Sequence, residues 1–300
     1  METKQILITG GTGFVGSYLR EELLKQGHYL TIITRSPASY KSEEAKNQKF
    51  ITIEEISSVI ESIDVVINLA GENLFGQRWT DSVKKRIYDS RISITRTLVD
   101  AIRASVKKPD VFISASGINY YEPAGDDVIT EESNAADDFL ANVCKDWENE
   151  AILARDLGVR VVISRFGIVL EEGGGVIEKM KLPFSLFVGG AIGPGTQYLS
   201  WIHMNDLCNA IIYAIENEEI NDVFNATAPE PVTMNQFASA MGSVMKRPSL
   251  FRVPEFALNL VLGEAAVPVV SSLNVQPKVL QINNFEFEFE DIETALADIL

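Results

Sequence analysis

The amino-acid sequence predicts an α/β fold: a doubly wound parallel sheet with a smaller C-terminal mixed lobe. Three observations lead to this prediction. The chain opens with a short apolar run, a glycine cluster and an amphipathic segment. Apolar, β-branched runs then alternate with helical patterns up to about residue 166, which is typical of parallel strands joined by helices. After that point, clustered glycines and spaced prolines divide the chain into shorter pieces.

The first unit combines a strand, a tight turn and a helix. The apolar run 6–8 precedes Gly11, Gly13 and Gly16, which fit G-x-G-x-x-G; Gly10, Gly13 and Gly16 also fit G-x-x-G-x-x-G. Glycines allow the turn and let a pyrophosphate lie against bare backbone, where free N–H groups and the positive end of the helix dipole meet its charge. We therefore expect a dinucleotide cofactor to contact this turn at Gly10, Thr12, Gly13, Phe14, Val15 and Gly16.

The later elements continue the alternation of strand and helix. We predict strands over residues 29–34, 50–53, 64–71, 110–114, 160–165 and 223–226, and helices over 80–105, 139–157, 205–216 and 291–300. Asn205 or Asp206 is expected to cap the helix 205–216. At 285–290 Phe and Glu alternate strictly, which predicts a strand with one buried face.

The change of pattern near residue 166 suggests a division of the chain. We assign residues 1–166 and 200–226 to a dinucleotide-binding Rossmann domain, and residues 167–199 and 227–300 to a C-terminal lobe on the substrate side. The stretch 167–199 is predicted to be rich in loops because glycines cluster at 173–175, 189–190 and 193–195.

The end of the second strand predicts which dinucleotide binds. An NAD-binding unit normally places an acidic residue there, but residues 31–40 contain no Asp or Glu. Instead the strand ends in Thr34, Arg35 and Ser36, and an arginine can pair with the 2′-phosphate of NADP(H). We expect these three residues to contact the cofactor and NADP(H) to be preferred over NAD(H). The alternative is that Arg35 is an ordinary surface residue.

A second cofactor contact is expected where the strand 64–71 ends. Small residues at the carboxyl end of a buried parallel strand let a cofactor approach closely. These residues are Asn68, Leu69, Ala70 and Gly71.

The overall composition narrows the classes of partner that the protein is expected to bind. A formal net charge of −16 without clustered Lys and Arg argues against a nucleic-acid or anionic-membrane partner. With only two His, and with Cys144 and Cys208 isolated, we expect no metal site and a reducing compartment. The sequence begins directly with a strand and contains no apolar run of membrane-spanning length, so we expect a cytoplasmic protein.

Several motifs together resemble the extended short-chain dehydrogenase/reductase superfamily over the whole chain. Within it, the sequence resembles the group of epimerase family proteins, often labelled nucleoside-diphosphate-sugar epimerase. The resemblance implies reversible hydride transfer at a carbinol carbon, with a Tyr as base, a Lys four residues later that lowers its pKa, and a Ser or Thr that holds the substrate oxygen. The motifs lie at residues 10–16, 64–71, 114–116 with 120–121, 200–206, 68–73, 78–79, 89–91, 147–148, 276–278 and 285–287.

The sequence departs from that superfamily at the catalytic pair. No Tyr is followed by a Lys four residues later, and Leu140 and Cys144 stand at the usual Tyr and Lys places. Lys145 is one position away, which rotates it by about 100° around the helix. The active site is therefore expected to be non-standard.

The sequence leaves alternatives open for the catalytic and substrate-binding residues. Tyr120 or Tyr121 supplies the acid/base and Ser116 holds the substrate oxygen, or the two aromatics only pack and the hydroxyl caps a turn. Arg91 meets an anionic substrate, or lies on a solvated helix face. The protein is then an oxidoreductase or epimerase for an unknown carbonyl or sugar-like small molecule, or a catalytically silent NADPH-binding sensor or structural protein. Long helices at the sheet edges are compatible with a homodimer.

Overall fold

The computed structural model describes residues 2–75 and 77–300, which form a parallel sheet with helices on both faces and a set of smaller sheets. The strands are β1 (Gln5–Thr9), β2 (Tyr29–Ile33), β3 (Gln48–Ile51), β4 (Val65–Asn68), β5 (Val111–Gly117), β6 (Arg160–Phe166), β7 (Ile168–Leu170), β8 (Gly190–Ile192), β9 (Tyr198–Leu199), β10 (Trp201–His203), β11 (Val223–Ala226), β12 (Val232–Thr233) and β13 (Phe251–Val253). The α-helices are α1 (Phe14–Lys25), α2 (Asp81–Ala104), α3 (Phe139–Ile152), α4 (Gly175–Ser185), α5 (Met204–Glu216), α6 (Met234–Met245), α7 (Glu255–Leu262), α8 (Val267–Val270), α9 (Lys278–Ile282) and α10 (Ile292–Ile299).

The large sheet has seven strands in the order β11-β6-β5-β4-β1-β2-β3, and every neighbouring pair is parallel. This confirms the predicted doubly wound sheet. The strand order reverses between β1 and β4, which pair from Ile6 with Val65 to Thr9 with Asn68. In open sheets of this kind, ligands bind beyond the carboxyl ends of the strands where the order reverses. The topology therefore places a binding cleft beside the glycine turn.

The two faces of the sheet bury separate apolar cores because successive side chains of a strand point to opposite faces. Ile6 and Ile8 pack with Leu19 of α1 and Ile211 of α5. Leu7 lies on the other face with apolar residues of α2 and α3. Both faces of β1 are buried, which explains its continuous apolar run.

The C-terminal part of the chain has its own core, in which Trp201, Phe237 and Leu296 are fully buried. Three two-stranded sheets, β7 with β10, β9 with β12 and β8 with β13, accompany it. The boundaries that we assigned to the two domains remain a prediction. No helix in the described part of the chain is both long enough and apolar enough to cross a bilayer.

Three local predictions were wrong. The stretch 167–199 contains the helix α4, which accommodates Pro183 in its interior. The Phe–Glu segment is not a strand: the N–H groups of Glu288 and Phe289 donate to the Asp206 carboxylate at 2.8 and 3.0 Å instead of to a neighbouring strand. Asp206 therefore does not cap α5; the Nδ1 atom of His203 accepts the Asn205 N–H and caps it.

Candidate cofactor and active site

The glycine turn between β1 and α1 leaves no room for side chains. Gly10 has a φ of +69°, and a Cβ there would lie 2.6 Å from the Leu69 carbonyl oxygen. A Cβ on Gly16 would lie 2.2 Å from the Gly10 oxygen, closer than any real contact. The Gly13 N–H donates to the same Gly10 oxygen at 2.9 Å and closes the turn. Glycine is required here because backbone packs directly on backbone.

The start of α1 has the donors that a pyrophosphate needs. Gly13 precedes the helix without a side-chain cap, and the first turn carries no acidic residue. Within the described residues, the N–H groups of Phe14, Val15 and Gly16 have no protein acceptor. Unpaired N–H groups at the positive end of a helix dipole suit a phosphate. The turn therefore fits a dinucleotide.

The three residues that follow β2 border the same edge of the sheet. Thr34 is half-buried, whereas Arg35 and Ser36 are exposed. The Ser36 N–H lies 3.4 Å from the Thr34 hydroxyl, so the chain turns sharply before its next 3₁₀ segment, Pro37–Glu43. A free guanidinium and two hydroxyls at this position suit a ribose 2′-phosphate.

The side chain of Asn68 has a structural role and does not face the predicted cofactor site. Its oxygen accepts from the Thr9 hydroxyl at 2.6 Å, and its amide donates to Thr95 at 2.8 Å and to Ser114 at 3.3 Å. The fully buried amide thus joins β1, β4, β5 and α2. The predicted cofactor contact at the end of β4 is therefore left to the residues that follow Asn68, namely Leu69, Ala70 and Gly71, and it remains a prediction.

Arg91 supports the turn that follows β4. Its guanidinium donates to the carbonyl oxygens of Ile87 at 3.0 Å and Glu72 at 3.2 Å. A Cβ on Gly71 would lie 2.9 Å from the Arg91 Cζ, so the guanidinium rests directly on that glycine. Burial lowers the pKa of Arg91. These contacts hold the turn in place. Arg91 therefore does not lie on a fully solvated helix face, and its contact with an anionic substrate remains a prediction.

A buried network of charged and polar side chains lies at the end of the cleft away from the glycine turn. Ser116, at the end of β5, donates to Glu148 of α3 at 2.6 Å. Arg165, at the end of β6, pairs with both oxygens of Glu148, at 2.8 and 2.7 Å. Arg165 also donates to the Tyr121 hydroxyl at 2.8 Å, which in turn donates to the Asn225 oxygen at 2.6 Å. All five residues are buried.

This network decides between the two tyrosines. Burial raises the pKa of Tyr121 to about 12 even though Arg165 opposes the shift, and its hydroxyl is bound on both sides. Tyr121 is therefore unsuited to exchange a proton near neutral pH. Tyr120 is only half-buried, its ring centroid lies 3.4 Å from the Arg165 Cζ, and its hydroxyl has no partner among the described residues. Tyr120 is the better acid/base candidate.

The helix α3 shows why the usual catalytic pair is missing. Burial and the nearby Glu148 charge raise the pKa of the Cys144 thiol to about 11, and its Sγ lies 3.8 Å from the Gly117 carbonyl oxygen. Lys145 donates to the carbonyl oxygen of Ala136 at 3.1 Å, and the Ala136 N–H donates to the Tyr120 carbonyl oxygen at 2.9 Å. The cation that lies over the Tyr120 ring is Arg165.

Sequence reasoning missed Glu148, Arg165 and Asn225. Each is a polar residue within an otherwise apolar strand or buried helix face, and an unexplained polar residue in such a place was the available signal. Among the described residues, no group of His, Cys, Asp and Glu could hold a metal. A depression of about 270 Å³ lies at the amino-terminal edge of the sheet, lined by Lys4, His28 and Glu216, and Ser116, Tyr120, Glu148 and Arg165 do not line it.

Comparisons with known proteins show what the chain is similar to. Residues 6–227 match the model of the NAD dependent epimerase/dehydratase family, and residues 253–299 match a domain of unknown function, DUF1731. Curated relatives include an epimerase family protein of Staphylococcus aureus, 38% identical over 298 residues and covering 99% of each chain, and epimerase family protein YfhF of Bacillus subtilis, 38% identical over 300 residues and covering 98% of this chain and 97% of its own. The crystal structure of human epimerase family protein SDR39U1 (isoform 2) with NADPH is similar with a TM-score of 0.91 and 32% identity over 98% of both chains.

Proposed function

Because the chain belongs to the NAD dependent epimerase/dehydratase family, we propose that it binds NADP(H) in preference to NAD(H) and acts as an oxidoreductase or epimerase on a carbonyl or sugar-like compound. The observation that carries the coenzyme preference is the exposed Arg35 after β2, where an acidic residue would mark an NAD site. The human relative that crystallised with NADPH supports the same preference.

Different residues bind different parts of the coenzyme. The N–H groups of Phe14, Val15 and Gly16 hold the pyrophosphate, and Thr34, Arg35 and Ser36 hold the 2′-phosphate. The backbone that follows Asn68 borders the rest of the coenzyme. Bound NADPH supplies the hydride.

At the other end, Tyr120 gives or takes the proton at the substrate oxygen. The Arg165 guanidinium beneath its ring stabilises the negative charge that develops on the phenol oxygen as the proton leaves. The Ser116 hydroxyl already donates to Glu148, so its oxygen can only accept from the substrate. Ser116 therefore positions a substrate hydroxyl, and Glu148 fixes the direction of that contact.

Replacement of Arg35 by Asp tests the coenzyme preference. A carboxylate repels the 2′-phosphate and removes its charge-assisted hydrogen bonds, so we expect the Kd for NADPH to rise by about 100-fold while the Kd for NADH changes by less than about 3-fold. Fluorescence titration of the purified protein with each coenzyme measures both values. Lys46→Asp is the matched control, because Lys46 is also exposed but lies before β3 at the other edge of the sheet. Unchanged NADPH affinity in Arg35→Asp contradicts the proposal.

A catalytically silent NADPH-binding protein is the second candidate. It is favoured by Leu140 and Cys144 at the usual Tyr and Lys places, and by the raised pKa of Cys144. Oxidation of NADPH with a panel of carbonyl compounds and sugar nucleotides separates the two candidates. Binding without turnover selects the silent protein. The cytoplasmic location and the homodimer remain predictions of the sequence.

A further inference from the structure

The chain between β5 and α3 makes a long excursion that begins next to Tyr120. The Ala136 N–H donates to the Tyr120 carbonyl oxygen at 2.9 Å, and Tyr121 pairs with Ala135 in an antiparallel bridge. Both ends of the excursion are therefore joined beside the proposed acid/base. We call residues 122–135 the Tyr120 loop. A movement of this loop moves the backbone that carries Tyr120.

The Tyr120 loop is bound by residues 272–279, which we call the C-terminal segment. This segment lies within residues 253–299, the part of the chain that matches the domain of unknown function. Asn274 binds the loop twice: its side-chain amide donates to the Asp126 carbonyl oxygen at 2.9 Å, and its own carbonyl oxygen accepts the Ile129 N–H at 2.8 Å. The Asn274 side chain therefore fixes a part of the loop that is distant in sequence.

Further hydrogen bonds run along the same two stretches of chain. Val275 lies opposite Ile129 in a parallel bridge, and the Gln276 N–H donates to the Ile129 carbonyl oxygen at 2.9 Å. The Val279 N–H then donates to the Glu131 carboxylate at 3.2 Å. Because hydrogen bonds at successive residues fix the register of two chains, the C-terminal segment sets the position of the inner part of the loop.

Apolar contacts connect the C-terminal segment to the tyrosine as well. Tyr120 packs against a separate buried cluster, which consists of Ile118, Tyr121, Ile129, Leu273 and Val275. Ile129 belongs to the Tyr120 loop, whereas Leu273 and Val275 belong to the C-terminal segment. The surface on which Tyr120 packs is therefore completed by residues more than 150 positions later in the chain.

Asn225 of β11 connects the same segment to Arg165. Its side-chain amide donates to the Gln276 carbonyl oxygen at 3.0 Å, and its side-chain oxygen accepts the Tyr121 hydroxyl at 2.6 Å. Tyr121 in turn accepts from Arg165, whose Cζ lies 3.4 Å from the centre of the Tyr120 ring. The C-terminal segment therefore reaches Tyr120 by two routes, one through the loop and one through Arg165.

We propose that the C-terminal segment positions the active site by holding Tyr120 over the Arg165 guanidinium, and that Asn274 is a positioning residue for Tyr120. This gives a role to the part of the chain that matches the domain of unknown function. The inference rests on the proposed function, because the position of Tyr120 affects turnover only if its hydroxyl exchanges a proton. Misplacement of a catalytic group by about 1 Å can lower a rate by about 100-fold.

The test follows Tyr120 directly. The chain contains 8 Tyr, so protein grown with 3-fluorotyrosine gives few enough fluorine NMR signals to be resolved, and Tyr120→Phe assigns the signal of Tyr120 by its loss. In Asn274→Ala the bond to the loop is removed, so we expect this signal to shift by more than its linewidth and kcat for NADPH oxidation to fall by about 10-fold. The Kd for NADPH should stay within about 2-fold, because the glycine turn lies at the other end of the cleft.

Asn283→Ala is the matched control. Asn283 lies in the same part of the chain, and its amide also donates to a carbonyl oxygen at 2.9 Å, but the acceptor is Val279 in the last turn of α9. This substitution removes an equivalent hydrogen bond without touching the loop. The Tyr120 signal should therefore stay at its wild-type position.

Ser272→Ala is a milder variant that keeps the test decisive if Asn274→Ala does not fold. The half-buried Ser272 hydroxyl donates to the Gly125 carbonyl oxygen of the loop at 3.0 Å. Its removal should shift the Tyr120 signal by less than Asn274→Ala does, because the second bond of Asn274 to the loop is kept.

A shifted Tyr120 signal and a lowered kcat in variants of the C-terminal segment, with neither in Asn283→Ala, support the proposal. A wild-type signal in Asn274→Ala and Ser272→Ala overturns it, and so does an equal shift in Asn283→Ala. A shifted signal with wild-type kcat also overturns it, because the position of Tyr120 then has no effect on turnover. If the wild type binds NADPH but oxidises it with no compound of the panel, the proposed function fails, while the NMR signal still reports whether the segment holds Tyr120.

Discussion

The two ends of the cleft are built in different ways. At the phosphate end, the contacts come from the backbone of one local segment, residues 10–16, and side chains are excluded. At the opposite end, they come from the side chains of Ser116, Tyr120, Glu148 and Arg165, which belong to separate elements. A backbone cradle needs only a local run of glycines. A side-chain network needs the fold to bring distant positions together. The phosphate end of the cleft can therefore be predicted from sequence, whereas the side-chain network at the opposite end cannot.

The glycines of the two ends show the same contrast. A Cβ on Gly16 would meet the Gly10 oxygen at 2.2 Å and the Gly11 Cα at 2.6 Å, and neither atom can move without opening the turn. A Cβ on Gly117, after Ser116, would meet its nearest atom, the Cys144 Sγ, at an ordinary 3.8 Å. One end therefore tolerates no added atom, whereas the other has room.

The largest expected effect follows from this difference. In Gly16→Ala the turn must open, and we expect the Kd for NADPH to rise by about 1,000-fold, or ~4 kcal/mol. Gly117→Ala is the control and should keep the Kd within about 3-fold, because its new methyl group fits. Calorimetric titration with NADPH measures both. Equal affinities in the two variants would show that the glycine turn does not form the phosphate site.

The next prediction concerns the buried ion pair. In Glu148→Gln the Arg165 guanidinium stays buried without its counter-charge, so we expect the free energy of unfolding to fall by about 3 kcal/mol. Burial lowers the pKa of Arg165, and the hydrogen bonds and charge of Glu148 more than offset this while the pair is intact. Without Glu148 the offset is lost, but a guanidinium does not lose its proton in proteins, so Arg165 stays charged and buried. Urea denaturation monitored by circular dichroism measures the change.

Glu150, on the same helix as Glu148, forms the ion pair that supplies the control for this experiment. Glu150 binds Arg96 at 2.8 Å, but the Arg96 side chain is 60% exposed. Surface pairs contribute little because water screens them, so Glu150→Gln should lower the free energy of unfolding much less than Glu148→Gln does. If both substitutions cost the same, the network at the base of the cleft is not the stabilising element that its burial implies.

Most of the sheet could be predicted because its strands contain continuous apolar runs, such as 6–8 and 161–163, that a sheet buried on both faces explains. The helix α4 could not, because Gly175 begins it and Pro183 interrupts its pattern. The Phe–Glu segment alternates like a strand, yet Asp206, more than 70 residues earlier, binds its N–H groups in place of a partner strand. Local patterns report local geometry and do not identify a distant partner.

The candidate site shows the same difference between local and distant information. The cradle residues follow from glycine spacing, and the absence of an acid after β2 follows from composition. Ser116 and Tyr120 could be predicted as candidates because they follow the predicted strand 110–114, whereas Glu148 and Arg165, which contact them, could not. What marks Glu148 and Arg165 as site residues is that two opposite charges are buried together. Whether an Arg or a Glu is buried becomes known only from the packing of the folded chain.

The smallest of these effects distinguishes a catalytic from a packing role for Tyr120. Tyr120→Phe keeps the ring over Arg165 and removes only the hydroxyl, so we expect kcat to fall by about 100-fold while the Kd for NADPH and the stability stay unchanged. Tyr121→Phe is the matched control: it loses bonds to Asn225 and Arg165, so it should lower stability by about 1–3 kcal/mol and leave kcat within about 5-fold. Stopped-flow oxidation of NADPH with the substrate identified in the carbonyl panel measures kcat. If Tyr120→Phe retains full turnover, Tyr120 only packs on the guanidinium, and the proton must come from the solvent side of the cleft.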